Sequence, residues 1–185
     1  VSDQIGSSFS VSSINNVASL EFDFIPTSDT LKFGFVFASD EYGGYENTAY
    51  NDVFGIFISG PGLDGEYSSP PSFPFGSENI AVVPNATPEL PITISSVNSF
   101  LNSQYFIDNS LSTTPFVEGY TTPFYVEKIV YPGFLYHLKI AIGNGTDSGL
   151  NSYVILGDCE FVEENFTTSD LLYGCTDSLA GNYNP

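Results

Sequence analysis

The 185-residue sequence predicts an all-β fold, an antiparallel β-sandwich of jelly-roll type with about eight or nine strands and long loops. Three observations predict it. Apolar residues recur with a period of two, turn residues separate the apolar runs, and no stretch keeps a 3.6-residue period for ten residues.

The elements follow in order. Residues 20–24 form a short first candidate. In residues 31–37, Leu31, Phe33, Phe35 and Phe37 share one face while Lys32 and Gly34 take the other. Residues 53–58 are apolar on both faces, as expected of a strand in the middle of a packed sheet. Residues 62–77 are too polar and proline-rich for a strand and predict a long surface loop. Residues 80–83, 92–97, 124–130 and 153–156 are further short candidates. From 134 to 142, Phe134, Tyr136, Leu138, Ile140 and Ile142 fall together, with His137 and Lys139 opposite. Gly43-Gly44, Gly60-Pro61-Gly62, Pro70-Pro71, Pro132-Gly133 and Gly143-Asn144-Gly145 punctuate these runs. After Phe161 the sequence turns polar and irregular. A boundary is therefore placed near residue 170, with the sandwich over 1–170 and a Cys-containing repeat or linker beginning in 171–185.

Composition sets further bounds. Apolar residues make up 42% and aromatics 16%, so a chain of this length can bury about 70% of its unfolded surface in one core. The formal net charge is -19, with 22 acidic side chains against Lys32, Lys128 and Lys139. Three lysines cannot replace the counterions of nucleic-acid phosphates, and they offer no attraction to an anionic bilayer. No apolar run reaches the length of a spanning helix, so membrane insertion is not expected. The first residues lack the charged and apolar regions of a signal peptide, which implies a chain from which any such leader is already absent. Cys159 and Cys175 are the two cysteines; a disulfide between them would close a loop and contribute roughly 3 kcal/mol.

Two acidic connections stand out. Ser39-Asp40-Glu41-Tyr42 leaves one strand, and Asn51-Asp52 enters the next, so Asp40, Glu41, Asn51 and Asp52 are expected at one end of a sheet. Calcium takes six to eight oxygen ligands from such side chains and from carbonyls. Asp and Asn also initiate and cap turns without any ion, and spacing leaves both readings open. A second connection, residues 143–152, offers Asn144, Asp147, Asn151 and Ser152. It lacks the closing glutamate of an EF-hand, and an ordinary Gly/Asn/Asp turn accounts for it as well.

Enzyme readings are poorer. With 22 acids, a pair of carboxylates suited to glycoside cleavage can be imagined anywhere. His137 is the sole histidine and sits within a strand, where a satisfied or solvent-facing role is expected rather than that of a base. The glycine-rich turns lack the following lysine and helix of a phosphate site. The sequence is read as non-enzymatic.

The segments Leu20-Glu21-Phe22-Asp23-Phe24-Ile25-Pro26, Phe35-Val36-Phe37-Ala38-Ser39-Asp40-Glu41-Tyr42 and Tyr50-Asn51-Asp52-Val53-Phe54-Gly55-Ile56-Phe57-Ile58-Ser59-Gly60-Pro61-Gly62 resemble the choice-of-anchor L domain. Residues 79–81, 91–94, 119–121 and 136–142 extend the likeness, which spans about residues 17 to 161. The resemblance implies a module of large secreted or surface-anchored proteins, many from Bacteroidota. This chain departs from the family in carrying Asn144 and Asn151 where acids are usual, and in lacking an aspartate near Glu118; both weaken a metal role for the second connection. Residues 173–185 resemble the start of the Gly-Cys-Thr-Asp…Asn-Tyr-Asn-Pro repeats near the C-termini of such proteins.

These readings combine into one expectation. The domain is a secreted, cell-surface adhesion module that binds a surface glycan or protein. Calcium orders its loops through Asp40, Glu41, Asn51, Asp52 and, more weakly, Asp147. The alternative is a structural subunit that self-associates in a filament or a larger surface complex.

Overall fold

The computed structural model describes residues 9, 11–112 and 117–161. Nine strands appear among them: β1 (Ile14–Phe24), β2 (Thr30–Ser39), β3 (Val53–Ser59), β4 (Glu78–Asn79), β5 (Phe106–Asp108), β6 (Gly119–Thr121), β7 (Phe124–Ile129), β8 (Tyr136–Gly145) and β9 (Ser152–Phe161). All pairings are antiparallel. One sheet runs β1-β8-β3-β4. In the other, β6 and β7 lie end to end along one edge of β2, β5 pairs with β6, and β9 takes the opposite edge of β2. The chain changes sheet five times, between β1 and β2, β2 and β3, β4 and β5, β7 and β8, and β8 and β9. The predicted all-β sandwich is the observed fold.

The period-two pattern explains the packing. Leu31, Phe33, Phe35 and Phe37 of β2 turn inward against Phe54, Ile56 and Ile58 of β3 and against Tyr136, Leu138 and Ile140 of β8. Phe35 stacks on Phe124 at 5.6 Å and meets Phe54 at 5.2 Å, so aromatic rings from both sheets interlock at the centre. The residues of β3 are buried on both faces, as its sequence predicts. Its outward Val53 and Phe57 are covered by Phe9, Val11, Ile14 and Tyr67. Tyr67 belongs to the 62–77 loop, which folds back over that face. Gly60 is fixed by packing: a Cβ there would lie 2.1 Å from the Tyr136 ring, whose hydroxyl donates to the Pro61 carbonyl at 2.7 Å.

Several elements differ from expectation. β1 begins at Ile14 rather than at residue 20, and a bulge between Asn15 and Ala18 accommodates its extra length. Residues 80–83, Val82 excepted, and 92–97 are buried as their apolar character requires, yet neither run forms a strand; Val82 bridges Pro91, and the Ile80 N–H donates to the Ile56 carbonyl at 2.8 Å. Thr93, Ser96 and Asn98 turn their side chains onto nearby backbone groups, offering the chain an alternative to a ladder. Phe134 precedes β8 and is exposed, while Ile142 is half-buried. β5 and β6, three residues each, carry too little alternation to be seen in sequence. The boundary near residue 170, the module at 171–185 and the Cys159–Cys175 pairing lie outside the described residues and side chains.

Candidate functional site

Sheet register brings the two acidic connections to the same end of the sandwich. β2 ends at Ser39 opposite Ser152, where β9 begins, and β3 starts at Val53 opposite Gly143 of β8. The 40–52 and 146–151 connections therefore leave side by side. The Asp40 N–H donates to the Asn151 carbonyl at 2.9 Å, and the Thr146 hydroxyl donates to the Ala49 carbonyl.

Within this end Glu41 and Asp52 are almost fully buried, at 2% and 1% exposure. The Asp52 N–H donates to Glu41 Oε2 at 3.1 Å, and the Gly145 N–H donates to Asp52 Oδ1 at 3.0 Å. Ser39 Oγ accepts from the Glu41 N–H at 3.0 Å and lies 2.8 Å from Ser152 Oγ. Gly145 is needed for this approach, because a Cβ there would stand 2.2 Å from the Asn51 carbonyl oxygen.

Two buried carboxyls in contact cannot both hold full charge cheaply. Burial pushes Glu41 up to about 8, and the neighbouring charge of Asp52 adds to the rise. Asp52 is also raised by burial, while hydrogen bonds from Ser152, the Gly145 N–H and Glu41 pull it back. The two carboxyls therefore titrate as a coupled pair that holds a proton above the ordinary carboxylate range. Asp52 Oδ2 is buried with no hydrogen-bond partner. Asp147, exposed in the second connection, adds its charge to the rise of both.

The five predicted ligands are not drawn into one shell. Glu41 and Asp52 meet. Asn51 is buried beside them, but its Oδ1 accepts the Ser95 N–H at 3.3 Å. Asp40 is half-buried at the start of the turn, and Asp147 Oδ1 accepts the Gly149 N–H at 3.0 Å. Among the described residues no three His, Cys, Asp or Glu side chains converge in a metal-holding group. Asn144 donates twice, to the Gly149 and Leu150 carbonyls, and so shapes its own loop.

Sequence reasoning missed Ser39 and Gly145 as parts of this end. Ser39 was adjacent to the acids, and its burial at the last position of a core strand was the available signal. Gly145 is visible only through its contact with Asn51. A second polar group also went unforeseen: His137 is buried on the outer face of β8, its Nδ1 2.7 Å from Asp23 Oδ1.

Among the described residues no helix is long and apolar enough to cross a membrane. No curated protein and no solved structure matches the chain. The choice-of-anchor L domain, a family of cell-surface modules not known for catalysis, matches residues 2–162. Most of the sequence lies within that match, including both sheets and the acidic loop end, and the chain therefore belongs to the choice-of-anchor L domain family.

Proposed function

We propose that this domain is a non-catalytic adhesion module displayed outside the cell, that it recognises a surface glycan or protein, and that calcium orders its loop end. The observation carrying this reading is the buried Glu41–Asp52 pair with Asp52 Oδ2 lacking a donor. Calcium displacing the Glu41 proton would neutralise both carboxylates, and Asp147, whose charge acts on both, would have to move in with Asp40 and nearby carbonyls to complete its oxygen shell. Loops stiffened before a partner arrives lose less freedom on binding. The test is adhesion of the purified domain to immobilised glycans and to cell-surface extracts, with calcium and with chelator. Calcium-dependent retention supports the reading; equal retention in chelator contradicts the role of the ion, and no retention on either surface contradicts adhesion.

A second reading has an observation of its own. β1 pairs only with β8, so its other edge is open among the described residues, and it exposes Val17, Leu20 and Phe22. An open edge of eleven residues is a template for strand addition. On this reading the domain assembles with copies of itself in a surface filament or larger complex. Light scattering that rises with concentration, and is abolished by Leu20→Lys, supports it; a strict monomer at all concentrations contradicts it.

A further inference from the structure

A second polar site lies on the outer face of the β1-β8-β3 sheet, at the end away from the acidic loops. Register alone builds its floor. Asp23, His137 and Ser59 stand in one row across three strands, and Glu21, Lys139 and Phe57 stand in the next row on the same face. His137 Nδ1 meets Asp23 Oδ1 at 2.7 Å, and Lys139 Nζ meets Glu21 Oε2 at 2.8 Å. The 67–77 segment forms the opposite wall. Tyr67 packs on Phe57 at 5.2 Å, Phe73 packs on His137 at 5.7 Å, and paired bonds between Tyr67 and Ser77 hold the segment as a hairpin. The cleft between floor and wall, partly open to solvent, measures about 390 Å³, within the range of about 300–1,000 Å³ typical of small-ligand sites.

Two buried polar atoms in this lining are left without hydrogen bonds. Ser59 is fully buried and its Oγ has no partner. His137 Nε2 is 3.2 Å from Glu21 Oε1 but makes no hydrogen bond of acceptable geometry. Buried hydroxyls and ring nitrogens are seldom left so, because each gives up its hydration without return. Charge narrows what could satisfy them. Lys139, the lysine of the lining, is already paired with Glu21, so the cavity offers no free cation to an anionic ligand. It offers hydroxyls, an imidazole and the half-buried ring of Tyr67, which packs edge-on against the buried Phe57.

We propose that this cavity binds one uncharged sugar ring, the terminal residue of a surface glycan. Its hydroxyls meet Ser59, His137 and the Lys139–Glu21 pair, and its C–H face lies on the Tyr67 ring. The inference rests on the reading of the domain as a glycan-recognising module and locates that recognition away from the acidic loops. Because the hairpin wall is already built, the site is preorganised for its ligand.

The test is saturation-transfer NMR of the full chain against methyl glycosides of glucose, galactose, mannose, fucose and N-acetylglucosamine. At least one glycoside is expected to give a signal, weakened about tenfold in affinity by Ser59→Ala and by Tyr67→Ala, and unchanged by Tyr125→Ala on the exposed face of the other sheet. Ser59→Ala removes an unpaired hydroxyl, so it is expected to fold at least as well as the parent. A folded protein silent towards all five glycosides overturns the proposal, as does a signal indifferent to both variants. If glycan or cell-extract retention persists while these variants leave it unchanged, the cavity assignment falls and the adhesion reading stands. If the wild-type domain is retained on neither surface and no glycoside signal appears, both fall.

Discussion

The backbone N–H of Asp52 donates to Glu41 Oε2 across 3.1 Å, so two acids eleven residues apart close the β2–β3 connection with their carboxyls in contact. The contact is buried, and its protonation state follows from that. Burial raises both groups, Glu41 to about 8.

Stability is therefore expected to depend on pH in an unusual direction for carboxylates. Unfolded, Glu41 loses its proton near 4.5; folded, it keeps it up to about 8. Within that window the folded state binds more protons than the unfolded one, so stability falls as pH rises through it and levels off above. Asp52, also raised, acts in the same sense. Thermal melts from pH 5 to 9 without divalent ions should show the midpoint dropping by several degrees. Glu41→Gln, which keeps the shape and a donor, should remove most of that slope. A wild-type midpoint that rises across the same interval would refute the assignment.

Gly145→Ala, at the buried end of β8, should be disproportionately damaging for a single added methyl. The new methyl would meet the carbonyl oxygen of Asn51 at 2.2 Å, and backbone cannot swing aside as a flexible side chain can. A loss of about 1–3 kcal/mol in urea unfolding is expected. Gly149→Ala in the connection that follows meets nothing closer than 3.7 Å and should stay within about 0.5 kcal/mol of wild type.

Ser39 and Ser152 should behave as one unit. Their hydroxyls are 2.8 Å apart, and Ser39 also accepts the Glu41 N–H. Each alanine variant should cost about 1 kcal/mol, and the double variant less than the sum, because the second change removes a bond already broken. Additive losses in denaturant titrations would show that the two serines act separately.

In the core, Phe54→Ala removes the ring that both Phe35 and Phe37 pack against. It should cost about 3–5 kcal/mol. Tyr125→Ala, on an exposed outer face, should cost far less in the same assay.

The fold was legible because its signal is local. The alternation in 31–37 and the continuous apolar run at 53–58 each state how many faces of a strand are buried, and β2 and β3 follow from them. Residues 92–97 misled because Thr93, Ser96 and Asn98 satisfy the backbone from the side, a choice no hydrophobic pattern encodes. The acidic end was half legible. Spacing placed Asp40, Glu41, Asn51 and Asp52 at one strand end, but which of them turn inward depends on Gly145 and Ser152, about a hundred residues away. The row of Asp23, His137 and Ser59 was not legible at all, since it exists only through the register of three strands.

The most direct measurement is a thermal melt at pH 7.5 with calcium raised from chelated to millimolar levels, run alongside Asp52→Asn. If the ion occupies the Glu41–Asp52 end, saturation at about a hundredfold over its dissociation constant should lift the midpoint by roughly 5–10 °C, with the gain lost in the variant. Superimposable wild-type melts at every calcium level would contradict the account.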